Sequence, residues 1–200
     1  MKYELVKTDT KQFCGRTLYR IRALAAIGSL IAPNDLGGYI ESEKNLSQMS
    51  GDAWVSDNAQ VFGNAWVFGD ALVSGNARVS GDAWLFGNAQ VSGNAWVSGN
   101  AWVSGDARVS GDALVSKQSE WLLIGPAKSS GRFTTAFVDE KLGVRVVCGC
   151  FTGTVAEFSE RIEKTHKENK EHLEQYRLFC QLIGFNFEVQ QREQVKELNT

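Results

Sequence analysis

The sequence predicts a mainly β protein: a left-handed parallel β-helix with about 18 residues per coil, followed by a small C-terminal α+β unit that ends in a long helix. Two observations carry this prediction. Eleven consecutive hexads run without an insertion from Gly51 to Ser116, and nearly all open with Gly-Asn-Ala or Gly-Asp-Ala. The 200-residue chain also holds 20 glycines beside only 2 prolines, a balance that favours ordered tight turns over disorder.

Each hexad is predicted to form one short strand and one corner. Ala occupies the third position and Val or Leu the fifth. Because strand side chains alternate between faces, these two point inward while the fourth and sixth residues point outward. Gly with Asn or Asp supplies the corner, since these residues tolerate left-handed backbone. Three hexads per coil give about 3.7 coils, stacked at the strand spacing of ~4.8 Å.

The outward fourth position sorts into three columns, and one column is aromatic. Trp66, Trp84 and Trp102 share one side of the β-helix, and Phe68 and Phe86 at the sixth position join them. Five such side chains present on the order of 1,000 Å² together, more than monomeric proteins usually leave exposed. These residues are therefore predicted to form an oligomer interface. Docking of flanking segments and a ligand platform are the alternatives.

The corner residues are also predicted to stack in columns. Asn side chains three hexads apart can hydrogen-bond from one coil to the next as ladders. Asp52 lies above Asp70, and these two carboxylates could attract a cation, although solvated corner turns are the simpler interpretation.

Charge divides the chain into three predicted segments: residues 1–50, 51–116 and 117–200. The middle segment contains no Lys and no Glu, whereas the flanks carry both signs. In the first segment, Lys2 to Val6 and Leu18 to Ala23 are predicted strands. Asp35 to Ile40, with Leu46 six residues later, indicates an imperfect first coil that caps the open edge of the β-helix.

The last segment is predicted to hold a small antiparallel sheet and a helix. The predicted strands are Trp121 to Ile124, Phe133 to Val138 and Val144 to Val147. Thr154 and Glu157 form a capping box that opens a helix over about 154–183. Apolar residues recur along it at heptad spacing, and Asn169 at an a position could set the register of an oligomeric coiled coil. The alternative is one amphipathic helix packed on the sheet.

Composition excludes several classes of function. Lys and Arg total 21 against 23 Asp and Glu, which lacks the basic excess that duplex nucleic acid or an anionic membrane surface attracts. No apolar run approaches the ~18 residues needed to span a bilayer, and no signal pattern opens the chain. We therefore expect a soluble cytoplasmic protein. Cys148 and Cys150 belong to no recognisable metal framework, so neither a metal nor a cofactor is predicted.

The hexads resemble those of hexapeptide-repeat acyltransferases. That resemblance implies a histidine general base between the coils of adjacent subunits of a trimer. This chain has only His166 and His172, and both lie in the predicted C-terminal helix rather than in the array. They are the only candidates for a catalytic base, and the more economical interpretation makes them structural residues.

Most of the chain also resembles a group of small bacteriophage and prophage proteins. The matching motifs are Lys2 to Leu5, Asp35 to Gln48, the Gly51 to Ser116 hexads, Trp121 to Pro126 and Gly149 to Phe158. This resemblance implies no established activity. Phage origin would favour an interaction with the host, including inhibition of its defence.

Together these features predict a non-enzymatic oligomeric accessory protein, with a homotrimer as the favoured state. Its predicted partner is a host protein or a small nucleotide-like ligand, for which Arg78, Arg108 and Arg145 are the candidate binding residues. The alternative is an acyltransferase that acts on a sugar or an amine, with His166 or His172 as its base.

Overall fold

The computed structural model describes residues 1–49, 51–128 and 130–197, with side chains as far as residue 188. The chain forms two compact units, Met1–Gln118 and Ser119–Thr200. The first unit is a parallel β-solenoid of about four turns. No helix among these residues is long and apolar enough to cross a membrane.

Eleven two-residue strands follow the hexads, one strand per hexad. They are β4 Trp54–Val55, β5 Gln60–Val61, β6 Trp66–Val67, β7 Leu72–Val73, β8 Arg78–Val79, β9 Trp84–Leu85, β10 Gln90–Val91, β11 Trp96–Val97, β12 Trp102–Val103, β13 Arg108–Val109 and β14 Leu114–Val115. Each pairs in parallel with a strand three hexads away, as Trp66 does with Trp84. The predicted coil length is therefore confirmed, and left-handed winding stays a prediction.

The three sides of the solenoid are three parallel sheets. They are β4–β7–β10–β13, β6–β9–β12, and β5–β8–β11–β14, the last as part of a larger sheet. The inward Ala and the inward Val or Leu of every hexad are buried. At the corners, an amide ladder forms as predicted: Asn58 Nδ2 donates to Asn76 Oδ1 at 3.5 Å, and Asn76 Nδ2 donates to Asn94 Oδ1 at 3.3 Å.

The N-terminal segment adds three strands to one of these sheets. β1 (Tyr3–Phe13) and β2 (Arg16–Ala23) form an antiparallel hairpin, and β3 (Leu36–Ile40) pairs with β2. β3 also pairs in parallel with β5, which places Ile40 beside Val61, and Leu46 forms a parallel bridge with Val67. Ile40 and Leu46 thus pair with residues 21 positions later in the chain. The hairpin strand β1 is longer than predicted, because its second half pairs with β2 across a register shift.

One buried asparagine closes part of the open edge of the first coil. Asn45 ends a short 3-10 helix, Glu43–Asn45. Its Nδ2 donates to the carbonyls of Gly63 and Ala65 at 3.0 and 2.9 Å, and its Oδ1 accepts from the Ser42 amide. In the later coils, the equivalent carbonyls accept from backbone amides of the preceding coil. Here the Asn45 side chain supplies the donor instead.

The second unit is a four-stranded antiparallel sheet with two helices. The elements are β15 Trp121–Ile124, β16 Thr134–Asp139, β17 Gly143–Cys148, β18 Phe151–Thr154, α1 Val155–His166 and α2 Lys170–Glu197. Strand β18 was not predicted, since Phe-Thr-Gly-Thr lacks apolar alternation. It forms because Gly149, at φ +60°, reverses the chain and pairs Cys148 with Phe151.

The single long helix predicted over 154–183 is two helices. The capping box is confirmed, with the Glu157 amide donating to Thr154 Oγ1 at 3.2 Å. However, α1 ends at His166, and Asn169 Oδ1 accepts from the His172 amide at 3.1 Å at the start of α2. The coiled-coil role predicted for Asn169 is therefore wrong. Asn competes with the helical backbone for hydrogen bonds and is favoured at N-caps over helix interiors.

Candidate functional site

The aromatic face is a continuous stack of five rings on one side of the solenoid. We use this name for Trp66, Phe68, Trp84, Phe86 and Trp102. Trp84 and Trp102 are nearly parallel, with ring centroids 5.1 Å apart, and Phe68 and Phe86 repeat the same spacing. Trp66 stacks on Phe68 at 4.2 Å and meets Trp84 edge to face at 5.7 Å. Strand pairing at fixed spacing brings these rings into register.

Much of each indole on this face remains in contact with solvent. Trp66, Trp84 and Trp102 are 38%, 37% and 51% exposed, and the two phenylalanines are half-buried. The tryptophans therefore expose roughly 300 Å² together, given up to ~250 Å² for each. This area is smaller than the sequence-based value of ~1,000 Å², because the rings cover one another. It still forms one connected apolar patch.

The patch extends at one end into a shallow cavity. The cavity has a volume of about 420 Å³ and lies between Trp66, Leu46 and Met49. Met49 is almost fully exposed. Its wall is mixed in character, because Glu43, Lys44, Ser47 and Gln48 also line it.

A second side of the solenoid, the hairpin face, also carries a tryptophan but is partly covered. It is the sheet that contains Arg78 and Trp96, and the N-terminal hairpin extends it. The Arg78 guanidinium lies 4.9 Å from the Phe13 ring centroid and 5.9 Å from that of Trp96. Phe13 also packs on Phe62 at 5.3 Å, and Trp96 Nε1 donates to Ser80 Oγ at 3.0 Å. Arg78 is thus held between aromatic rings.

The third side, the Trp54 face, is covered by N-terminal residues at its first rung. Trp54 is only 2% exposed and meets the Tyr3 ring edge to face at 6.4 Å. Gly37 passes so close to the Trp54 indole that a Cβ there would lie 2.7 Å from it. Farther along this face, a cavity of about 470 Å³ lies between the Ile27–Ile31 loop and the sheet.

Lys2 lies close to the Asp52 and Asp70 pair, for which a bound cation was considered, and Asp70 Oδ1 accepts from the Asp52 amide at 2.9 Å. Lys2 Nζ donates to the carbonyls of Gly51 and Ala53 at 2.9 and 3.4 Å. Burial lowers the pKa of Lys2 and outweighs the attraction of Asp52 and Asp70, which acts to raise that pKa. A lysine therefore lies near enough to the two carboxylates to feel their charge.

The three candidate ligand-binding arginines lie on two sides of the solenoid and in the second unit. Arg108 is exposed on β13, in the sheet that contains Trp54, whereas Arg78 lies on the hairpin face. Arg145 belongs to the second unit, where its Nε donates to buried Asp139 Oδ2 at 2.7 Å. Burial tends to raise the pKa of Asp139, but hydrogen bonds from Arg145 and from the Leu142 and Lys141 amides leave that pKa lowered. Arg145 and Asp139 therefore stabilise the β16–β17 turn.

Both histidines lie in the helical part of the second unit. Their ring centroids are 5.8 Å apart, and His166 stacks on Tyr176 at 5.1 Å. Both are half-buried, and no hexad contains a histidine. The structure thus places these candidate bases in helix packing.

Cys148 and Cys150 differ in their exposure to solvent. Cys148 is buried at the end of β17, while Cys150 is exposed in the turn that follows. Within the described residues, no group of three or more His, Cys, Asp or Glu side chains could hold a metal ion. Burial raises the pKa of the Cys180 thiol, and Glu163 adds to that effect.

The repeats are similar to those of one known solenoid family. The family model described as YdcK Beta solenoid repeat matches residues 71–87 and 89–105. Each match spans nearly one coil and falls inside the array that carries the aromatic face. Among curated proteins, none matches the chain. These findings describe a protein with β-solenoid repeats similar to those of YdcK.

Proposed function

We propose that this protein is a non-enzymatic binding protein that assembles as a homotrimer through its aromatic face. The observation that carries the proposal is the exposed, internally stacked aromatic ladder on a rigid parallel scaffold. Hydrophobic burial favours association in proportion to the apolar area removed from water. At ~25 cal/mol/Å², the roughly 300 Å² of exposed indole would contribute about 7 kcal/mol per face before the costs of association.

The ring geometry favours a protein surface over a small stacking ligand. A base or a sugar stacks on a free aromatic face. Trp84 has Trp102 parallel to it at 5.1 Å and the edge of Trp66 at 5.7 Å. The central indole therefore presents an edge to solvent, and a second protein can cover a row of such edges. Three copies are proposed because the hexads resemble those of trimeric hexapeptide-repeat proteins.

We further propose a phage-type role, in which the assembly binds a host factor or a nucleotide-like ligand in the cytoplasm. The resemblance of the N-terminal lead, the hexads and the C-terminal motifs to small phage and prophage proteins supports this role. Native mass spectrometry of protein purified from host cells tests it directly. A retained small molecule or host protein would support the role, and an empty assembly from infected and uninfected cells alike would count against it.

Self-association is tested by light scattering on a matched pair of variants. Trp84 and Trp96 occupy the same position of their hexads and are 37% and 38% exposed, but only Trp84 belongs to the aromatic face. The wild type should show three times the 22.0 kDa chain mass. Trp84→Asp should reduce that mass toward one chain, because it buries a charge at the interface. Trp96→Asp should retain the oligomer.

Two results would overturn this proposal. One is a monomeric wild type at high micromolar concentration. The other is an equal mass for Trp84→Asp and the wild type, with circular dichroism showing that both are folded.

A further inference from the structure

The Trp54 face is covered at its first rung, but farther along it the loop between β2 and β3 leaves a cavity above the sheet. This cavity has a volume of about 470 Å³ and lies between the loop and strands β4, β7 and β10. Small-molecule sites in proteins have volumes of roughly 300–1,000 Å³. All the residues around the cavity belong to the first unit.

One wall of the cavity is an aliphatic loop that is closed on itself. The Ile27 amide donates to the Ile31 carbonyl at 3.0 Å, and the Ile31 amide donates to the Ile27 carbonyl at 3.3 Å. Gly28 has φ +56°, and a Cβ there would lie 2.8 Å from Asp52 Oδ2. The loop therefore rests against a corner of the solenoid. Leu30 lines the cavity and is 81% exposed, so it lies at the mouth.

A column of hydroxyl groups forms part of the opposite wall. It contains one serine per coil, each half-buried at the sixth position of its hexad: Ser56, Ser74 and Ser92. Because strands of adjacent coils pair, these serines repeat at a spacing of about 4.8 Å. In the part of the chain that the structure describes, none of the three hydroxyls has a hydrogen-bond partner, whereas Ser80 on the hairpin face accepts from Trp96. The column is therefore available to a ligand.

The other polar groups around the cavity are an amide and two carboxylates. They belong to Gln90, Asp52 and Asp70, and the two aspartates are the only charged side chains among the described residues that line the cavity. Serine hydroxyls and the glutamine amide both donate and accept hydrogen bonds, while carboxylates only accept. The lining thus combines mixed donors and acceptors with an aliphatic surface.

We infer that this cavity binds a neutral saccharide. Each hydroxyl of a sugar both donates and accepts, so it can pair with the serine hydroxyls, the Gln90 amide and the carboxylates alike. The C–H groups of the sugar ring can pack against Ile27, Ile31 and Leu72, which also line the cavity. The inference does not depend on the proposed self-association.

Three other classes of ligand fit this lining less well. A phosphate group would meet no cation on the described lining side chains, and Asp52 and Asp70 would repel it. A wholly apolar molecule would remove the serine hydroxyls from water without giving them partners. An alkylammonium would match the carboxylates, but Lys2 already lies close to them, and such a ligand would leave most of the hydroxyl column unused. The site is therefore distinct from that of a nucleotide-like ligand.

Saturation-transfer NMR on the full-length chain tests the site with neutral sugars as probes. Glucose, galactose, mannose, N-acetylglucosamine, maltose and lactose are each offered at millimolar concentration, and at least one should receive saturation from the protein. Ser74→Phe should raise the dissociation constant of that sugar at least tenfold, because the ring would fill the space between the two walls. The repeat accepts this change, since Phe62, Phe68 and Phe86 hold the same position of their hexads.

The matched control is Ser98→Phe. Ser98 also holds the sixth position of its hexad and is half-buried, but it follows β11 on the hairpin face and does not line the cavity. This variant should leave the dissociation constant within about twofold of the wild-type value. Circular dichroism checks that both variants stay folded.

Asp70→Asn and added salt distinguish a saccharide from a cationic ligand. An amide oxygen still accepts from a sugar hydroxyl, so Asp70→Asn should weaken saccharide binding less than about tenfold. Sodium chloride should leave that binding unchanged, because no ion pair is involved. Butylammonium serves as the cationic probe. If it binds while the sugars do not, and if salt and Asp70→Asn abolish its binding, the saccharide assignment is wrong.

Two further results would overturn the site itself. One is an absence of saturation transfer to every sugar of the panel. The other is equal sugar binding by the wild type and Ser74→Phe. Neither result bears on the mass of the Trp84→Asp oligomer, so the saccharide site and the aromatic-face proposal can fail separately.

Discussion

Trp54 and Trp84 hold the fourth position of their hexads, yet Trp54 is buried and Trp84 is partly exposed. Trp54 lies against Tyr3 and Gly37 at 2% exposure, whereas Trp84 keeps 37% of its surface in water. The difference arises outside the repeat, because the first residues of the chain and strand β3 pass over the Trp54 rung. A solenoid repeat thus makes equivalent positions, and the segments without repeats decide which of them remain available for binding.

The largest expected effect comes from truncating these two tryptophans. Trp54→Ala should lower the free energy of unfolding by about 3–5 kcal/mol, as for other buried aromatic truncations. Trp84→Ala should cost the folded chain less, about 1–3 kcal/mol, since more than a third of its indole is already in water. Urea unfolding at low protein concentration, followed by circular dichroism, measures both. Equal losses would contradict the contrast between the two faces.

A smaller loss of stability is expected from substitutions at the corners, which adjoin both the Trp54 face and the aromatic face. Gly81 has φ +65°, and a Cβ there would lie 2.8 Å from the Gly99 amide nitrogen of the next coil. Gly81→Ala should cost about 1–2 kcal/mol from the left-handed backbone alone, and the contact adds to this loss.

Gly15→Ala is the control for the corner substitution. Gly15 has φ +74° with no atom within 4 Å of an added Cβ, so it carries only the backbone cost. Thermal unfolding of both variants gives the difference, which reports the stacking contact. A Gly15→Ala loss as large as that of Gly81→Ala would show that coil spacing plays no part.

The smallest expected effect is a pH dependence that arises at Tyr3, beside the Trp54 face. Burial, with a contribution from Glu43, raises the pKa of Tyr3, and its hydroxyl donates to the Leu46 carbonyl at 2.7 Å. A tyrosine pKa raised by folding contributes stability that is full below the unfolded value of ~10 and is lost as pH rises beyond it. Stability should therefore fall above pH ~10.

Tyr3→Phe isolates this contribution. The variant should lose about 1 kcal/mol at neutral pH with the hydrogen bond, and its stability should fall less steeply above pH ~10. Lys2, whose lowered pKa acts in the opposite direction, is present in both proteins and cancels in the difference. Parallel slopes for the two proteins would contradict the assignment to Tyr3.

Much of the fold could be predicted because hexad chemistry is local. Gly and Asn or Asp at each corner, with Ala and Val on the same face of each strand, define the three-hexad coil and align Trp66, Trp84 and Trp102. The capping box at Thr154 is equally local. Three features escaped prediction because they depend on strand pairing and side-chain packing, which the residue pattern of one short segment does not show. They are the β18 strand, which pairs only with β17; the Asp139–Arg145 pair; and the area that stacked rings remove from solvent.

The helix break shows where a periodic pattern misleads. Heptad spacing runs across Asn169, but the Asn side chain caps a new helix, and α2 folds back so that Tyr176 and Ile183 reach the core beside Phe158. This arrangement leaves Leu178, Leu182 and Phe185 exposed on α2.

Local chemistry alone determines that this chain coils in turns of three hexads and stacks its tryptophans in columns, because strand alternation and glycine corners act within a few residues. Which columns are covered depends on the N-terminal hairpin and on β3, which pack on hexads that lie much later in the chain. Burial is a property of contacts between distant segments. The outward position of Trp66, Trp84 and Trp102 could therefore be predicted, but only the folded chain shows that they stay exposed while Trp54 is covered.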